Sequence, residues 1–284
     1  MSHFLITGAS SGLGLQFGLA ALRRGSRVTG ATRDPARARA ASPEFEARGG
    51  VWLQLDVASP AAEATVRDVV ESGDVDVLIN SAAYALIGPV EKISDSEAHA
   101  EMETNFHGTL RTIRGALPSF RARRSGTIVN VTSGAGFVGL ASRGLYAGSK
   151  FAVEGMSEAL ADELAPLGVR VVVAEPGAFR TNFLSTLVLP AAGLGGYEGT
   201  PAEAVIRRTQ GMRQMRLGDA RLAAEALVDV VLGTGLARGE EVRGCLRVPL
   251  GQDCWPLAKK KVESWGRNLD IIEPVSMSVG LEEE

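Results

Sequence analysis

The chain opens with an apolar run at residues 3–7, His3-Phe4-Leu5-Ile6-Thr7, followed at once by Gly8-Ala9-Ser10-Ser11-Gly12-Leu13-Gly14 and a helical pattern over residues 15–24. A strand that passes through a glycine-rich turn straight into a helix is the first half of a βαβ unit. The glycines let a backbone come close to a pyrophosphate, and the helix N-terminus offers unpaired N–H groups and a positive dipole end. A turn that serves tight packing alone is the other reading of the same residues. The alternation then repeats. Further strands are expected at residues 27–31, 51–55, 75–79, 127–131, 169–174 and 244–248, with helices at 35–48, 60–72, 94–121, from Tyr146 onward and at 219–232. Alternating strands and helices predict an α/β fold, a doubly wound parallel sheet flanked by helices. No repeat, low-complexity linker or charge block divides the 284 residues, so a single domain is expected over 1–284.

Composition narrows the function by exclusion. The formal net charge of −3 supplies no argument for nucleic acid or an anionic membrane. Cys245 and Cys254 form no C-x-x-C pair, and His3, His99 and His107 form no ligand cluster, so neither a metal nor a disulfide framework is expected. No apolar stretch approaches the roughly 20 residues a spanning helix needs. With a first strand starting at His3, no leader peptide is expected and the cytoplasm is the default location.

The chemistry-bearing stretch is residues 130–150, NVTSGAGFVGLASRGLYAGSK. It puts Ser133 after a buried strand, and Tyr146 and Lys150 four residues apart on one face of a helix. A phenol beside an ammonium has its pKa drawn down, and a facing serine hydroxyl can hydrogen-bond a substrate oxygen. Such a set is an acid/base device for a carbonyl or an alcohol. A solvated tyrosine and a surface lysine are the plain alternative for Y-x-x-x-K taken alone. Apolar Val153, Met156, Leu160, Leu164 and Leu167 form the stripe that should pack this helix on the sheet.

With its T-G-x-x-x-G-x-G turn, Ser133 and Tyr146-x-x-x-Lys150, the chain resembles the short-chain dehydrogenase/reductase family, whose fold is Rossmann-like. The resemblance implies hydride transfer between a nicotinamide and a carbonyl or alcohol carbon. Tyr146 would give or take the proton, Lys150 would lower the phenol's pKa and hold the ribose, and Ser133 would orient the substrate oxygen. Asn105, in the family's N-x-x-G context, would distort its helix and maintain a proton relay. Gly8, Ser10, Ser11, Gly12, Leu13 and Gly14 would cradle the pyrophosphate. Asp56 and Val57 would lie near the adenine, although Asp56 serves equally well as a cap. Asn80-Ser81-Ala82-Ala83 is similar to the family's N-N-A-G, with Asn80 and Ala82 on the cofactor; Ala83 replaces a glycine, and a positive φ there would be disfavoured. Pro176, Gly177 and Thr181 match the segment beside the nicotinamide.

Cofactor type turns on the end of the second strand. A ribose hydroxyl calls for an acid there and a 2′-phosphate for a cation. Thr32 stands where NAD-preferring relatives carry Asp, and Arg33 follows, which implies NADP(H); Asp34 is the competing ribose ligand. Residues 182–216 interrupt the alternation with apolar side chains and glycines, as a mobile lid over an apolar substrate would. Beyond residue 250, a C-terminal extension carrying Trp255, Leu257, Val262, Trp265 and Leu269 could clasp the body or a partner, and residues 281–284 should form a disordered tail. The expected activity is reduction of an apolar ketone or aldehyde, or the reverse oxidation, in a homodimer or homotetramer. A dinucleotide-binding regulator without turnover is the rival reading.

Overall fold

The computed structural model describes residues 1–211 and 217–280. Part of the expected lid (212–216) and the expected C-terminal tail (281–284) therefore lie outside the described residues. Seven strands form one parallel sheet: β1 (His3–Thr7), β2 (Arg27–Thr32), β3 (Val51–Gln54), β4 (Val77–Asn80), β5 (Gly126–Val131), β6 (Val169–Pro176) and β7 (Arg247–Leu250). Their order is β3-β2-β1-β4-β5-β6-β7, so the chain reverses direction across the sheet between β1 and β4. Ligands of such sheets bind at that switch point, outside the carboxyl ends of the strands.

Period-two alternation along the strands builds two cores. Phe4 and Ile6 of β1, Val77 and Ile79 of β4 and Val172 of β6 face one side, where they meet Phe17 of helix α1 (Gly12–Arg23) and Leu227 and Val228 of α9 (Ala220–Leu232). Leu5, Leu78, Ile128 and Val171 face the other, against Val66 of α4 (Ala62–Gly73), Ile113 and Phe120 of α6 (Gly108–Arg123) and Leu160 of α7 (Gly144–Leu164). Strands covered on both faces explain why the sequence runs are nearly continuous in apolar residues.

Departures from expectation have local causes. The helix expected over 35–48 is two, α2 (Pro35–Ala41) and α3 (Pro43–Ala47), because Pro43 lacks an N–H and drives Ser42 out of the helical region, to φ −142° and ψ 65°. The helix expected over 94–121 is α5 (Asp95–Met102), a π-helical segment (Glu103–His107) and α6. The last strand lies later than expected. Gly244 ends α10 (Glu240–Gly244), Cys245 and Leu246 lie between, and β7 pairs with β6 so that Leu250 enters the core. Pro249 is tolerated because β7 is an edge strand.

Inside the expected lid segment, a 3₁₀ turn (Asn182–Ser185) precedes α8 (Pro201–Gly211). The C-terminal extension is one long helix, α11 (Cys254–Met277), in which only Cys254 is buried. Trp255, Trp265 and Leu269 stay 58%, 64% and 63% exposed, so past its first turn this helix does not clasp its own body. Among the described residues, no helix is long and apolar enough to cross a membrane, and no group of His, Cys, Asp or Glu could hold a metal ion.

Candidate active site

A cavity of about 800 Å³ lies at the carboxyl ends of the strands, and its floor is the turn from β1 to α1. Gly8 (φ +66°) and Gly12 (φ +58°) take backbone conformations that side chains rarely adopt. A Cβ on Gly8 would lie 2.7 Å from Ala82 Cα, and one on Gly14 would collide with the Gly8 carbonyl. Thr7 Oγ1 accepts hydrogen bonds from the N–H groups of Ser81 (3.1 Å) and Ala82 (3.2 Å), locking this turn to the loop after β4. Ser11 caps α1 with no side-chain hydrogen bond, which leaves the first amides of the helix for a ligand. A glycine turn packed this closely on the loop after β4, over free helix amides, fits a dinucleotide pyrophosphate. Ser10, Ser11 and Leu13 also line the cavity. Ala83 avoids positive φ, so its replacement of glycine strains nothing.

At the far end the cavity is walled by Thr32, Arg33, Asp56 and Val57. Asp34, the rival ribose ligand, is not on the cavity wall; its carboxylate accepts the Arg37 N–H at 2.9 Å as the N-cap of α2. Asp56 both lines the cavity and accepts the Ala58 N–H at 3.1 Å, so the cap and the cavity roles coexist. Asn80 does not line the cavity. It is buried, donates to Asn130 Oδ1 (2.9 Å) and accepts from Thr112 Oγ1 (2.6 Å), which ties β4 to β5 and α6. Its side chain is therefore part of the interior network, and the loop it leads into (Ser81, Ala82, Ala83) supplies the wall. Pro176, Gly177 and Thr181 line the opposite side, after β6.

Ser133, Tyr146 and Lys150 all line the cavity. Ser133 caps the 3₁₀ turn after β5, accepting the Ala135 N–H at 3.2 Å, and its hydroxyl is near enough to that of Tyr146 to favour the phenolate. Lys150 is buried, with Nζ 5.9 Å from the Tyr146 ring centroid and donating to the Val131 carbonyl at 3.0 Å. The phenol is not depressed as expected. Burial pushes Tyr146 up to about 12, outweighing the Ser133 hydroxyl and the Arg143 charge that pull it down. Burial likewise lowers Lys150 to about 8, against the pull of Glu101 and Glu154. Near neutral pH the phenol is protonated, the form required of a proton donor.

Asn105 lies behind this group, not on the cavity wall. Its Oδ1 accepts the Tyr84 N–H (3.1 Å), while Nδ2 donates to the Tyr84 carbonyl (2.9 Å) and to Ser149 Oγ (3.0 Å). It thus clamps the loop after β4 to α7 from within the π segment, a feature frequent at functional sites.

Two residues were missed by sequence reasoning. Glu101, one turn before Asn105, is 0% exposed; Oε1 accepts the Leu86 N–H at 2.9 Å and Oε2 has no hydrogen-bond partner. Burial raises its carboxyl to about 7. Its four-residue spacing from Asn105 was the available signal, masked by three neighbouring acids, Asp95, Glu97 and Glu103, that suggest a solvated face. Arg143, one turn before Tyr146, also lines the cavity. Arg208 lines it too, and the apolar part of the wall on that side is Ile87, Val138, Leu140, Phe183 and Leu187.

The model of the short chain dehydrogenase family matches residues 2–189. Oxidoreductase claN of Passalora fulva is 43% identical over 214 residues, 75% of this chain and 98% of that protein. A short-chain dehydrogenase from Streptomyces avermitilis superposes with a TM-score of 0.85 at 30% identity, over 99% of this chain and 98% of the other. Another, from Burkholderia cenocepacia in complex with NADP, gives a TM-score of 0.70 at 25% identity, over 95% and 97% of the two chains.

Proposed function

This chain belongs to the short-chain dehydrogenase family, and from that membership we propose that it is an NADPH-dependent reductase of an apolar ketone or aldehyde, run in reverse as an alcohol oxidation. The observation that carries the proposal is the convergence of Ser133, Tyr146 and Lys150 on one wall of a cavity whose floor is the Gly8–Gly14 cradle. Gly8, Ser10, Ser11, Gly12, Leu13 and Gly14 would take the pyrophosphate and Arg33 the 2′-phosphate. Asp56, Val57 and Ala82 would line the adenosine half, and Pro176, Gly177 and Thr181 the nicotinamide. Bound nicotinamide supplies the hydride.

The chain's own residues handle the proton. Ser133 Oγ fixes the carbonyl oxygen, and Tyr146 Oη, held protonated by burial, donates to it. Lys150, with a proton affinity near neutrality, restores the phenol, and Asn105 keeps α7 in place beneath it. The apolar wall contributed by Phe183 and Leu187 of the lid segment shields the reacting carbon from water. A soluble cytoplasmic homo-oligomer is the setting proposed for this activity.

The test is a panel of apolar ketones and aldehydes with NADPH and with NADH, followed at the nicotinamide absorbance. Turnover that prefers NADPH supports the reading. Coenzyme binding without turnover on any carbonyl, or of any alcohol with the oxidised coenzyme, would sink it in favour of a regulator of the same fold.

A further inference from the structure

Two cations stand on the substrate side of the cavity, Arg143 and Arg208. Arg143 is the N-cap residue of α7, one turn before Tyr146, and its Nη2 donates to Thr209 Oγ1 of α8 at 3.0 Å, a neutral partner. Its Nε is buried without an acceptor. Among the described residues neither guanidinium has a carboxylate within ion-pair distance, although Arg207, their neighbour, is paired with Glu203 at 2.6 Å. The acids that share the cavity, Asp56 and Asp253, each accept a backbone N–H, from Ala58 (3.1 Å) and Ala178 (2.8 Å), and pair with neither arginine. Arg208 is close enough to Arg143 for its charge to oppose that of Arg143. Arg208 is exposed, so the cost of lacking a counter-charge falls on half-buried Arg143, and an anion in the cavity would offset it.

Resting on the reductase reading above, we infer that the substrate is an apolar carbonyl compound that also carries a carboxylate. Its carbonyl would face Ser133 and Tyr146. The apolar stem would lie along Ile87, Phe183 and Leu187, and the carboxylate would sit between Arg143 and Arg208. An arginine fork suits a planar carboxylate, and a charge-assisted pair in a partly dry site discriminates strongly against a neutral isostere. The plain alternative makes Arg143 a strut from α7 to α8 through Thr209, with no role in substrate choice.

The experiment compares a medium-chain oxo-acid with its methyl ester at saturating NADPH, on the wild type, Arg208→Gln and Arg143→Gln. The acid should exceed the ester in kcat/KM by about 10- to 100-fold, chiefly through KM, and the advantage should shrink as salt is added. Each substitution should collapse the acid-to-ester ratio toward one, a readout that a change in overall activity or folding does not move. Equal rates for acid and ester on the wild type, or a ratio unaltered in both variants, overturn the inference while leaving the reductase reading intact. If neither compound turns over, decanoate against decanol as stabiliser of the cofactor-free protein in a thermal melt decides the anion question alone. Stabilisation by decanoate only, lost in Arg208→Gln, supports it; equal effects refute it.

Discussion

Replacing Glu101 by Gln should reshape the pH dependence of stability. The native fold holds this carboxyl at about 7 against an ordinary value of 4.5, because it is fully enclosed and only one of its oxygens has a partner. A carboxyl raised in the native state contributes stability that is complete below 4.5 and is lost as pH rises through 7. At 1.36 kcal/mol for each tenfold change in proton affinity, that loss totals about 3 kcal/mol, of which about 2 kcal/mol falls between pH 5 and 7.5. The amide of the Glu101→Gln variant keeps an oxygen for the Leu86 N–H but cannot ionise. Urea unfolding of both proteins, followed by tryptophan fluorescence, should therefore show the variant gaining about 2 kcal/mol on the wild type across that window. Taking the difference cancels Glu154 and Glu175, which are also raised and are present in both chains. Stopping at pH 7.5 stays short of Lys150, at about 8. A gap between the two proteins that does not change with pH would show that Glu101 is ionised throughout, and the enclosure argument would fail.

Tyr146→Phe should lower kcat by about 10³-fold, in the range of a lost general acid, with NADPH affinity by fluorescence titration near wild type; retained turnover would exclude the phenol as donor. Arg33→Ala should weaken NADPH binding about tenfold and NADH hardly at all, and an equal loss for both coenzymes would refute the 2′-phosphate assignment. Asn105→Ala removes three hydrogen bonds, the one to Ser149 buried and the two to Tyr84 part-buried, and should cost about 2–4 kcal/mol in urea unfolding; a cost below about 0.5 kcal/mol would mean that the clamp on Tyr84 and Ser149 carries no load.

Much of this arrangement could be read from order alone. Strand runs buried on both faces, and the turn at Gly8–Gly14, announce themselves because apolar periodicity and glycine spacing are local properties. Tyr146 and Lys150 share a helix face for the same reason. What escaped depends on distant partners. The break at Ser42-Pro43 had a local signal that was passed over, but the position of β7 depends on its register against β6. The amide partners of Asn80, Asn130 and Thr112, lie 50 and 32 residues away along the chain. The sign of the Tyr146 shift was misjudged because spacing reports a neighbouring charge but not the loss of water that outweighs it. Glu101 and Arg143 look like surface charges in a chain where 22% of residues are charged, and only enclosure sets them apart.

Because every strand runs the same way, everything reactive gathers at one rim, and the chain's beginning emerges at the other. Met1 is 93% exposed there, beside Gly126 and Gly168 at the starts of β5 and β6. The first turn of α11 contributes Cys254 and Leu257 to the cavity wall. Anchoring this protein to a bead or electrode by its leading residue would thus leave the mouth facing the liquid.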